Sequence, residues 1–404
     1  MEFTDFVKEL LHIDDCFRVS RIERETAPEP FIRIYLDYQL PYCKTDGITY
    51  PLYDHAPVRT WQHLCWFEYP CFIVCRLPRY IDSEGKVKVM EVSFAGKGKS
   101  YTRLFSARVI EALQEIKVQS SVAGLFRTSP YIVRSIMEAA VSKSVDARGD
   151  VTDLSTISLD EKAFMEGHNY ATILVDSKKD CVVELAEGRA EKDVKALLYC
   201  ITSQERQPQL ERVNMDMWKP YINVIKEVAP QATIVHDKFH IVKKLSEAID
   251  KTRRKEVKNE PMLKNNRYTV LKNEDNRTQE QQSLFEQLDK ANLKTAQAWH
   301  IRENFKSLFE VQDRTVSGNL LYDWMEHSMT KGLPCVNQVI NTIKNHIMGV
   351  VNALITRTDS GKHENINGRI QAVLAKARGF INFHRFRINV LFYFGKLDLI
   401  QLKF

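Results

Sequence analysis

Residues 157–164 read ISLDEKAF, and this stretch decides the fold. Its first residues alternate apolar and polar side chains with the period of a β-strand, and Asp160 stands on the polar side. The stretch RVNMDMW, residues 212–218, repeats the pattern and places Asp216 in the same way. An unpaired carboxylate beside an apolar strand is costly. Two of them in one segment therefore predict a site that holds a cation or a hydrogen-bond network.

The segment that surrounds these two aspartates, residues 151–237, has the element order of an α/β domain. Three successive strands with short turns predict an antiparallel meander inside a mixed sheet. The predicted strands are 156–164, 170–176, 181–186, 212–217 and 233–236, and the predicted helices are 192–201 and a segment that ends at 228.

A long helical segment, residues 238–350, follows and has almost no strand pattern. Within it, residues 238–275 carry eleven Lys and Arg against six Asp and Glu, so this part is locally basic. Such a basic face is typical of DNA-backbone contacts, although a plain solvated helix face has the same pattern. Residues 351–395 return to an apolar, basic helix pattern that ends in an aromatic stretch at 390–394.

The first hundred residues are β-rich and aromatic. Their alternating patterns predict strands, and Asp-Gly and Glu-Gly pairs supply turn signals. The strand patterns lie at 31–40, 61–77 and 87–94.

Residues 101–150 turn helical and end in a charged linker. Ser129 and Pro130 predict the start of a third helix, because Ser is a favoured N-cap and Pro a favoured first helical residue. Two short helices and a tight turn before it indicate a helix-turn-helix, with Tyr131 and Arg134 on the outer face. A plain three-helix subdomain is the alternative and is about as common.

The composition is that of an ordinary globular protein, which excludes wholly disordered, collagen-like and low-complexity chains. The chain has 404 residues and a formal charge of +6, a mild excess that permits a nucleic-acid partner without demanding one. No signal-peptide pattern opens the sequence, and its longest apolar stretch, residues 347–355, is too short to span a bilayer. We therefore expect a cytoplasmic protein without a membrane partner.

Eight cysteines are scattered along the chain, so a disulfide framework is not expected. Cys71 and Cys75 lie in PCFIVCRL, which predicts a buried strand rather than a metal site. No CxxC pair occurs, so a structural zinc site is the less favoured interpretation.

A third carboxylate is needed if the two aspartates bind two divalent ions for phosphoryl chemistry, since such ions prefer oxygen ligands. Glu364, in the stretch DSGKHENINGRIQ, is the candidate. On a helical wheel it falls opposite the apolar stripe formed by residues 366, 370, 373 and 377. It is a ligand only if that polar face looks across at the edge of the sheet, and a solvent-exposed glutamate is the alternative.

Six segments occur in a specific order along the chain. They are SLDEKAF (158–164), GHNYATILVD (167–176), EGR (187–189), VNMDMWKPY (213–221), VHDKFHIVKKL (235–245) and SGKHENINGRIQAVLAKARGFINFHRFR (360–387). Taken together, they resemble the DDE transposases of bacterial insertion sequences, specifically the ISL3 family. The resemblance covers about residues 150–395 and rests on the ordered set rather than on any single motif.

The resemblance implies a multidomain α/β fold with a ribonuclease-H-like mixed-sheet core that a helical insertion interrupts. A small β-rich DNA-end-binding domain and a helix-turn-helix would precede the core. Family members commonly carry two zinc-binding CxxC pairs near the N-terminus, whereas here Cys43 stands alone, so the resemblance implies a retained fold with lost zinc ligands. The expected divisions are 1–100 for the β-rich domain, 101–150 for the helix-turn-helix and linker, 151–237 for the first part of the core, 238–350 for the insertion, and 351–404 for the second part of the core with the tail.

The family's catalytic triad maps onto Asp160, Asp216 and Glu364, which would hold two Mg²⁺ (or Mn²⁺) ions. The implied reaction cuts the end of the element, frees a 3′-hydroxyl and joins it to target DNA. The resemblance further implies binding to terminal inverted repeats, assembly on DNA as a homodimer or larger, and a place at the bacterial nucleoid.

Residue types suggest the remaining site residues, each with a plainer alternative. Base contacts are expected from the outer face of the third helix, and phosphate contacts from the preceding turn and the basic insertion. Base stacking is considered for an insertion tryptophan, although such a residue is more often part of a helical core. A polar group after the last core strand is expected to support the triad, with a zinc site as the less favoured reading. The residues are Tyr131 and Arg134 for bases, Arg127, Thr128, Lys243, Lys244, Arg253 and Arg254 for phosphates, Trp299 for stacking, and His236, Asp237 and His240 for support.

Two other functions remain open at this stage. A structure-selective nuclease on the same core would share the carboxylates and cut without joining. A helix-turn-helix regulator would bind DNA without any chemistry, and Asp160→Asn would leave its activity untouched. A metal hydrolase built on His236 is a weaker third idea and predicts stoichiometric zinc.

Overall fold

The computed structural model divides into two compact units, Met1–Arg148 with Leu397–Phe404, and Gly149–Lys396. We call them the first and the second unit. The residues that it describes are 3–26, 28–45, 47–149, 151, 154–165, 167, 169–201, 210–356, 366, 368–373, 375 and 380–400.

The first unit begins with three β-sheets around an apolar core. The four-stranded sheet has the order β1-β2-β7-β6, with β2 and β7 parallel and the other neighbours antiparallel, while β3-β4 and β5-β8-β9 form smaller sheets. The elements are α1 (Phe3–Leu10), β1 (Phe17–Glu25), β2 (Phe31–Tyr38), β3 (Tyr42–Thr45), β4 (Ile48–Pro51), β5 (Asp54–His55), β6 (Arg59–Trp66), β7 (Tyr69–Cys75), β8 (Pro78–Ile81) and β9 (Val87–Val89).

The predicted strand patterns at 31–40 and 61–77 are confirmed as β2, β6 and β7. The pattern at 87–94 is a strand only in its first three residues. Cys71 and Cys75 are buried in β7, as PCFIVCRL predicts, and burial raises the pKa of both thiols to about 12. The seven cysteines whose side chains the structure describes are free thiols.

Three helices follow the sheets in the first unit: α2 (Arg103–Ile116), α3 (Gln119–Leu125) and α4 (Pro130–Arg148). Ser129 begins α4 as predicted, since its Oγ accepts a hydrogen bond from the backbone N of Ile132. Val133 and Met137 on the inner face of α4 are fully buried. The periodicity therefore predicted both the number of helices and the buried face of the third.

Gln62 of β6 fastens the turn between α3 and α4. Its Nε2 donates to the carbonyls of Phe126 and Arg127 at 3.2 Å, and Thr128 Oγ1 donates to its Oε1 at 2.8 Å. Arg127 adopts a positive φ of 46° in this turn. The amide of a buried strand residue thus sets the conformation of the turn.

The second unit contains a five-stranded sheet of order β12-β11-β10-β13-β14. The pairs among β10, β11 and β12 are antiparallel, and β13 is parallel to both β10 and β14. The predicted meander inside a mixed sheet is therefore confirmed. The elements are β10 (Thr156–Met165), β11 (Asn169–Asp176), β12 (Cys181–Glu187), α5 (Glu191–Ile201), β13 (Arg212–Met215), α6 (Lys219–Val228) and β14 (Thr233–His236).

Residues 238–356 are entirely helical apart from turns, as their pattern predicts. Their apolar faces share one buried core, which includes Ile249, Phe305 and Ile340. No helix among the described residues is long and apolar enough to cross a membrane. The α-helices are α7 (Lys238–Glu256), α8 (Arg267–Leu271), α9 (Gln279–Lys290), α10 (Lys294–Ser307), α11 (Arg314–Thr330), α12 (Pro334–Asn345) and α13 (Ile347–Thr356).

The C-terminal helix, Phe383–Phe394, packs against the sheet of the second unit. Asn382 caps it by accepting from the backbone N of Arg385. The ring of Phe386 stacks on Phe164 of β10 with centroids 5.6 Å apart, and Arg387 forms a two-bonded ion pair with Glu184 of β12. The motif GFINFHRFR therefore contains the N-cap Asn382, the stacked ring of Phe386 and the guanidinium of Arg387 that pairs with Glu184.

Phe386→Ala should destabilise the second unit by about 3–5 kcal/mol, because it empties a fully buried aromatic site. Ile381→Ala is the matched control, since its side chain is 74% exposed and should cost less than about 0.5 kcal/mol. Urea unfolding followed by circular dichroism measures both. Equal midpoints for the two variants would contradict this packing.

The side chain of His63 in β6 should stay neutral at pH values well below the usual pKa of histidine. Burial, with a smaller contribution from His12, lowers its pKa to about 4, and its Nδ1 is hydrogen bonded to Thr102 Oγ1 at 2.8 Å. The unfolded chain, with a histidine pKa near 6.5, then takes up the proton first as the pH falls. The contribution of His63 to stability is complete above pH 6.5 and is lost towards pH 4. An NMR titration of His63 with a midpoint above pH 6 would refute this.

Candidate functional site

The two predicted aspartates lie side by side at the end of two parallel strands. The register pairs Thr156 with Arg212 and continues to Leu159 opposite Met215. One residue further along, Asp160 of β10 stands beside Asp216, the first residue after β13. Neighbouring strands are about 4.8 Å apart, so the two carboxylates share one small region of the surface.

Each carboxylate is held by the backbone next to it. Asp160 Oδ1 accepts from the backbone N of Glu161 at 2.8 Å, and Asp216 Oδ1 accepts from the backbone N of Met217 at 2.6 Å. The Asp160 side chain is 14% exposed and that of Asp216 is 30% exposed. The pair is thus preoriented and still accessible to a ligand.

His240 stands between the two carboxylates. It lies in the first turn of α7, with Nε2 3.7 Å from Asp160 Oδ1 and Nδ1 3.6 Å from Asp216 Oδ2. Asp237 is the N-cap of α7, accepts from the backbone N of Phe239, and approaches His240 Nε2 at 4.0 Å. The structure therefore brings together Asp160, Asp216, Asp237 and His240.

His236, the last residue of β14, pairs in register with Met215, next to Asp216. It is 3% exposed, its Nδ1 is 3.3 Å from the carbonyl O of Met215, and burial lowers its pKa to about 4. Its ring meets that of His346 edge-on at 5.4 Å. A Cβ on Gly349 of α13 would lie 2.6 Å from His236 Nε2, so only glycine permits this approach.

A second cluster, centred on Arg189, adjoins Asp160 through Glu161. Arg189 Nη1 donates to both carboxylate oxygens of Glu161 at 3.1 Å. Its guanidinium also lies 4.1 Å from the ring centroid of Tyr170 and 5.1 Å from that of Trp218. The EGR segment was noticed only for its resemblance. Its arginine faces aromatic rings from two other elements, and this arrangement requires the folded sheet.

Glu364, the predicted third carboxylate, lies outside the described residues. Within the part of the chain that the structure describes, no group of three or more His, Cys, Asp or Glu side chains has the arrangement of a metal site. Of the three predicted carboxylates, the described residues therefore include the two aspartates.

The predicted DNA contacts differ in how accessible they are. Tyr131 is 73% exposed, and Arg127, Lys243 and Arg254 are exposed. Arg134, Thr128 and Lys244 are half-buried. The hydroxyl of Thr128 already donates to Gln62, so it is committed to the turn.

Two of the predicted DNA contacts, Trp299 and Arg253, are engaged within the protein. Trp299 is 5% exposed, its Nε1 donates to the carbonyl of Lys272 and its ring packs on Phe285, so it belongs to the helical core. The guanidinium of Arg253 donates two hydrogen bonds, of 2.8 and 2.9 Å, to Asp250, and the Arg253 side chain is 12% exposed. Helical spacing cannot tell which faces a multi-helix core buries.

Gly349→Ala should destabilise the second unit by about 1–3 kcal/mol, because the new Cβ overlaps the His236 ring. Gly318→Ala is the matched control, since its Cβ would meet Val351 at an ordinary 3.8 Å and should stabilise α11 by about 0.5–1 kcal/mol. His236→Ala in the Gly349→Ala background should recover part of the loss. Urea unfolding decides the matter, and equal stability of the two glycine variants would disprove the close approach.

Comparisons with known proteins identify the family of the chain. Residues 157–390 match the ISL3-type DDE family model, whose description is "Transposase". The chain is 24% identical over 387 residues to the transposase for insertion sequence element IS1001 of Bordetella parapertussis, covering 93% of this chain and 94% of that protein. It is also 24% identical over 371 residues to the transposase for IS1557 of Mycobacterium tuberculosis, covering 84% of this chain and 82% of that protein. The chain belongs to the ISL3 family of DDE transposases.

Proposed function

We propose that this chain cuts DNA at the ends of an insertion sequence and joins the freed 3′-hydroxyl ends to target DNA. The observation that carries the proposal is the parallel register that sets Asp160 beside Asp216. Glu364, in its matching motif, is proposed as the third carboxylate. The order of the five strands, with a meander followed by two parallel strands, supports a ribonuclease-H-like core.

The aspartate pair fits a divalent cation. Two carboxylates on neighbouring strands repel each other; Lys162 Nζ lies 3.6 Å from Asp160 Oδ2, and the imidazole of His240 lies within 3.7 Å of both carboxylates. Carboxylate oxygens are the ligands that Mg²⁺ and Mn²⁺ prefer. Divalent ions bound there would stabilise the attacking and leaving oxygens of an in-line phosphoryl transfer.

The protein's own residues supply orientation. The backbone N–H groups of Glu161 and Met217 fix the two carboxylates before any ligand arrives. The entropy of orienting these side chains is therefore not lost during the reaction. His240 in the first turn of α7 and the N-cap Asp237 are proposed to position the carboxylates, and His236 to support them through its contact with the Met215 carbonyl. His236 and His240 are proposed as positioning residues and not as zinc ligands.

DNA binding is proposed for basic and aromatic side chains that are exposed or half-buried. Tyr131 and Arg134 of α4 would face bases, and Arg127, Lys243 and Arg254 would face phosphates. Recognition of terminal inverted repeats by the first unit, and assembly of two or more copies on DNA, belong to the same proposal. We also propose that the protein works at the bacterial nucleoid.

Asp160→Asn and Asp216→Asn should each lower cleavage of the terminal repeats by roughly a thousandfold, the loss expected when about 4 kcal/mol of metal-assisted stabilisation disappears. The assay follows labelled repeat DNA in Mg²⁺ or Mn²⁺ and scores both cut and joined products. Asp323→Asn, an exposed aspartate on α11, is the matched control and should keep full activity.

The same assay separates the alternatives. Products that are cut and never joined would indicate a nuclease. DNA binding with no cutting by the wild type, under every divalent ion tried, would indicate a regulator. Activity of Asp216→Asn equal to that of the wild type would contradict the proposed site.

A further inference from the structure

An exposed tryptophan lies close to the aspartate pair. Trp218 follows Asp216 by two residues, so the Cα atoms of the two residues are at most about 7 Å apart. Trp218 is 39% exposed and is the N-cap residue of α6. Tryptophan side chains are highly buried on average. The exposure of this one beside the proposed site therefore needs a physical reason.

The start of α6 does not supply that reason. The backbone of Trp218 is extended, with φ −89° and ψ 115°, and its side chain makes no capping hydrogen bond. Ser, Thr, Asp or Asn at this position would cap the helix and stabilise it. Departures from such local rules are expected at functional sites. The sequence thus keeps an indole where a capping side chain would favour the fold.

Neighbouring residues hold the indole in one orientation without burying it. Its Nε1 donates to the carbonyl of Arg189 at 3.3 Å, and the Arg189 guanidinium lies 5.1 Å from the ring centroid, within cation–π range. Glu161 fixes that guanidinium with two hydrogen bonds, and the Tyr170 ring lies 4.1 Å from it. The Arg189 and Glu161 side chains are 36% and 37% exposed, so their ion pair adds little to stability. The cluster therefore presents an ordered aromatic surface to solvent.

An unpaired nucleobase is the ligand that fits this surface. Every base has a π-face that stacks on an exposed aromatic ring, and a ring that is already ordered loses little entropy on binding. A base inside a duplex is stacked on its neighbours, so it must be unpaired or turned out before it can stack on the protein. Because Trp218 is so close in sequence to Asp216, the nucleotides on either side of a bond held by the aspartates come within its reach.

We propose that Trp218 stacks on an unpaired base next to the bond that is cut, and that Arg189 positions the indole for this contact. The inference rests on the proposed function, because it takes the aspartate pair as the place where the bond is held. Stacking would offset the cost of opening the base pair at the end of the element. Trp218 would then favour DNA whose end opens readily.

A double-mutant cycle between the protein and the DNA measures this contact. The full chain carries Asp160→Asn, so that it binds the repeat DNA without cutting it. The DNA has either a mismatched base or an abasic sugar at the nucleotide on one side of the bond, and then on the other side. Both substitutions leave the position unpaired, and they differ only in the base that can stack. Fluorescence anisotropy of the labelled DNA gives the dissociation constants.

The protein with Trp218 should bind mismatched DNA about tenfold more tightly than abasic DNA at one of these positions, the effect expected of one stacked base. Trp218→Ser should bind both DNAs equally, although serine gives α6 a favoured cap. Trp218→Phe should keep part of the difference because it keeps an aromatic face, and Arg189→Gln should narrow the difference because the indole is less ordered. Tyr199→Ala is the matched control, since Tyr199 is an aromatic residue of α5 that is 44% exposed, and it should keep the full difference.

The proposal is overturned if Trp218→Ser discriminates between the two DNAs as the Trp218 protein does, or if the Trp218 protein does not discriminate at all. Cleavage of the repeat DNA by the chain with its native Asp160 keeps this result apart from the proposed function. Discrimination by a chain that never cuts would count against the proposed function alone. Cutting without discrimination would count against the stacking contact alone.

Discussion

The parallel pairing of β10 with β13 is the constraint on which the rest of the second unit depends. It sets two carboxylates next to each other at a strand end, where their mutual repulsion must be compensated. The meander of β10, β11 and β12 holds one strand of this pair, and β14 holds the other. The C-terminal helix packs on the same sheet through Phe164 and Glu184, so elements far apart in the chain support one short pairing.

Two of the helices that follow the sheet also contact residues at or next to the aspartate pair. α7 begins directly after the carboxyl end of β14. Its N-cap Asp237 and its first-turn residue His240 therefore lie close to the aspartate pair. α13 comes close enough to touch His236 because residue 349 is glycine. The first helix of this segment therefore contacts the aspartate pair through His240, and the last contacts His236.

The sequence predicted the elements better than the contacts. Alternation located the strands of the second unit within one or two residues, because each has one apolar face that must be buried. The aspartates stood out for the same reason. Periodicity did not reveal that Trp299 and Arg253 are internal, since in a multi-helix core both faces of a helix find partners. The arrangement of Arg189 against Tyr170 and Trp218 joins separate elements, and no local pattern encodes it.

Binding of Mn²⁺ to the protein without DNA tests the central claim most directly, because it measures the carboxylate pair apart from every later step. Electron paramagnetic resonance should detect Mn²⁺ bound by the wild type and by Asp323→Asn. The double variant Asp160→Asn with Asp216→Asn should bind at least tenfold more weakly. Equal Mn²⁺ affinity in the wild type and in the double variant would contradict the account.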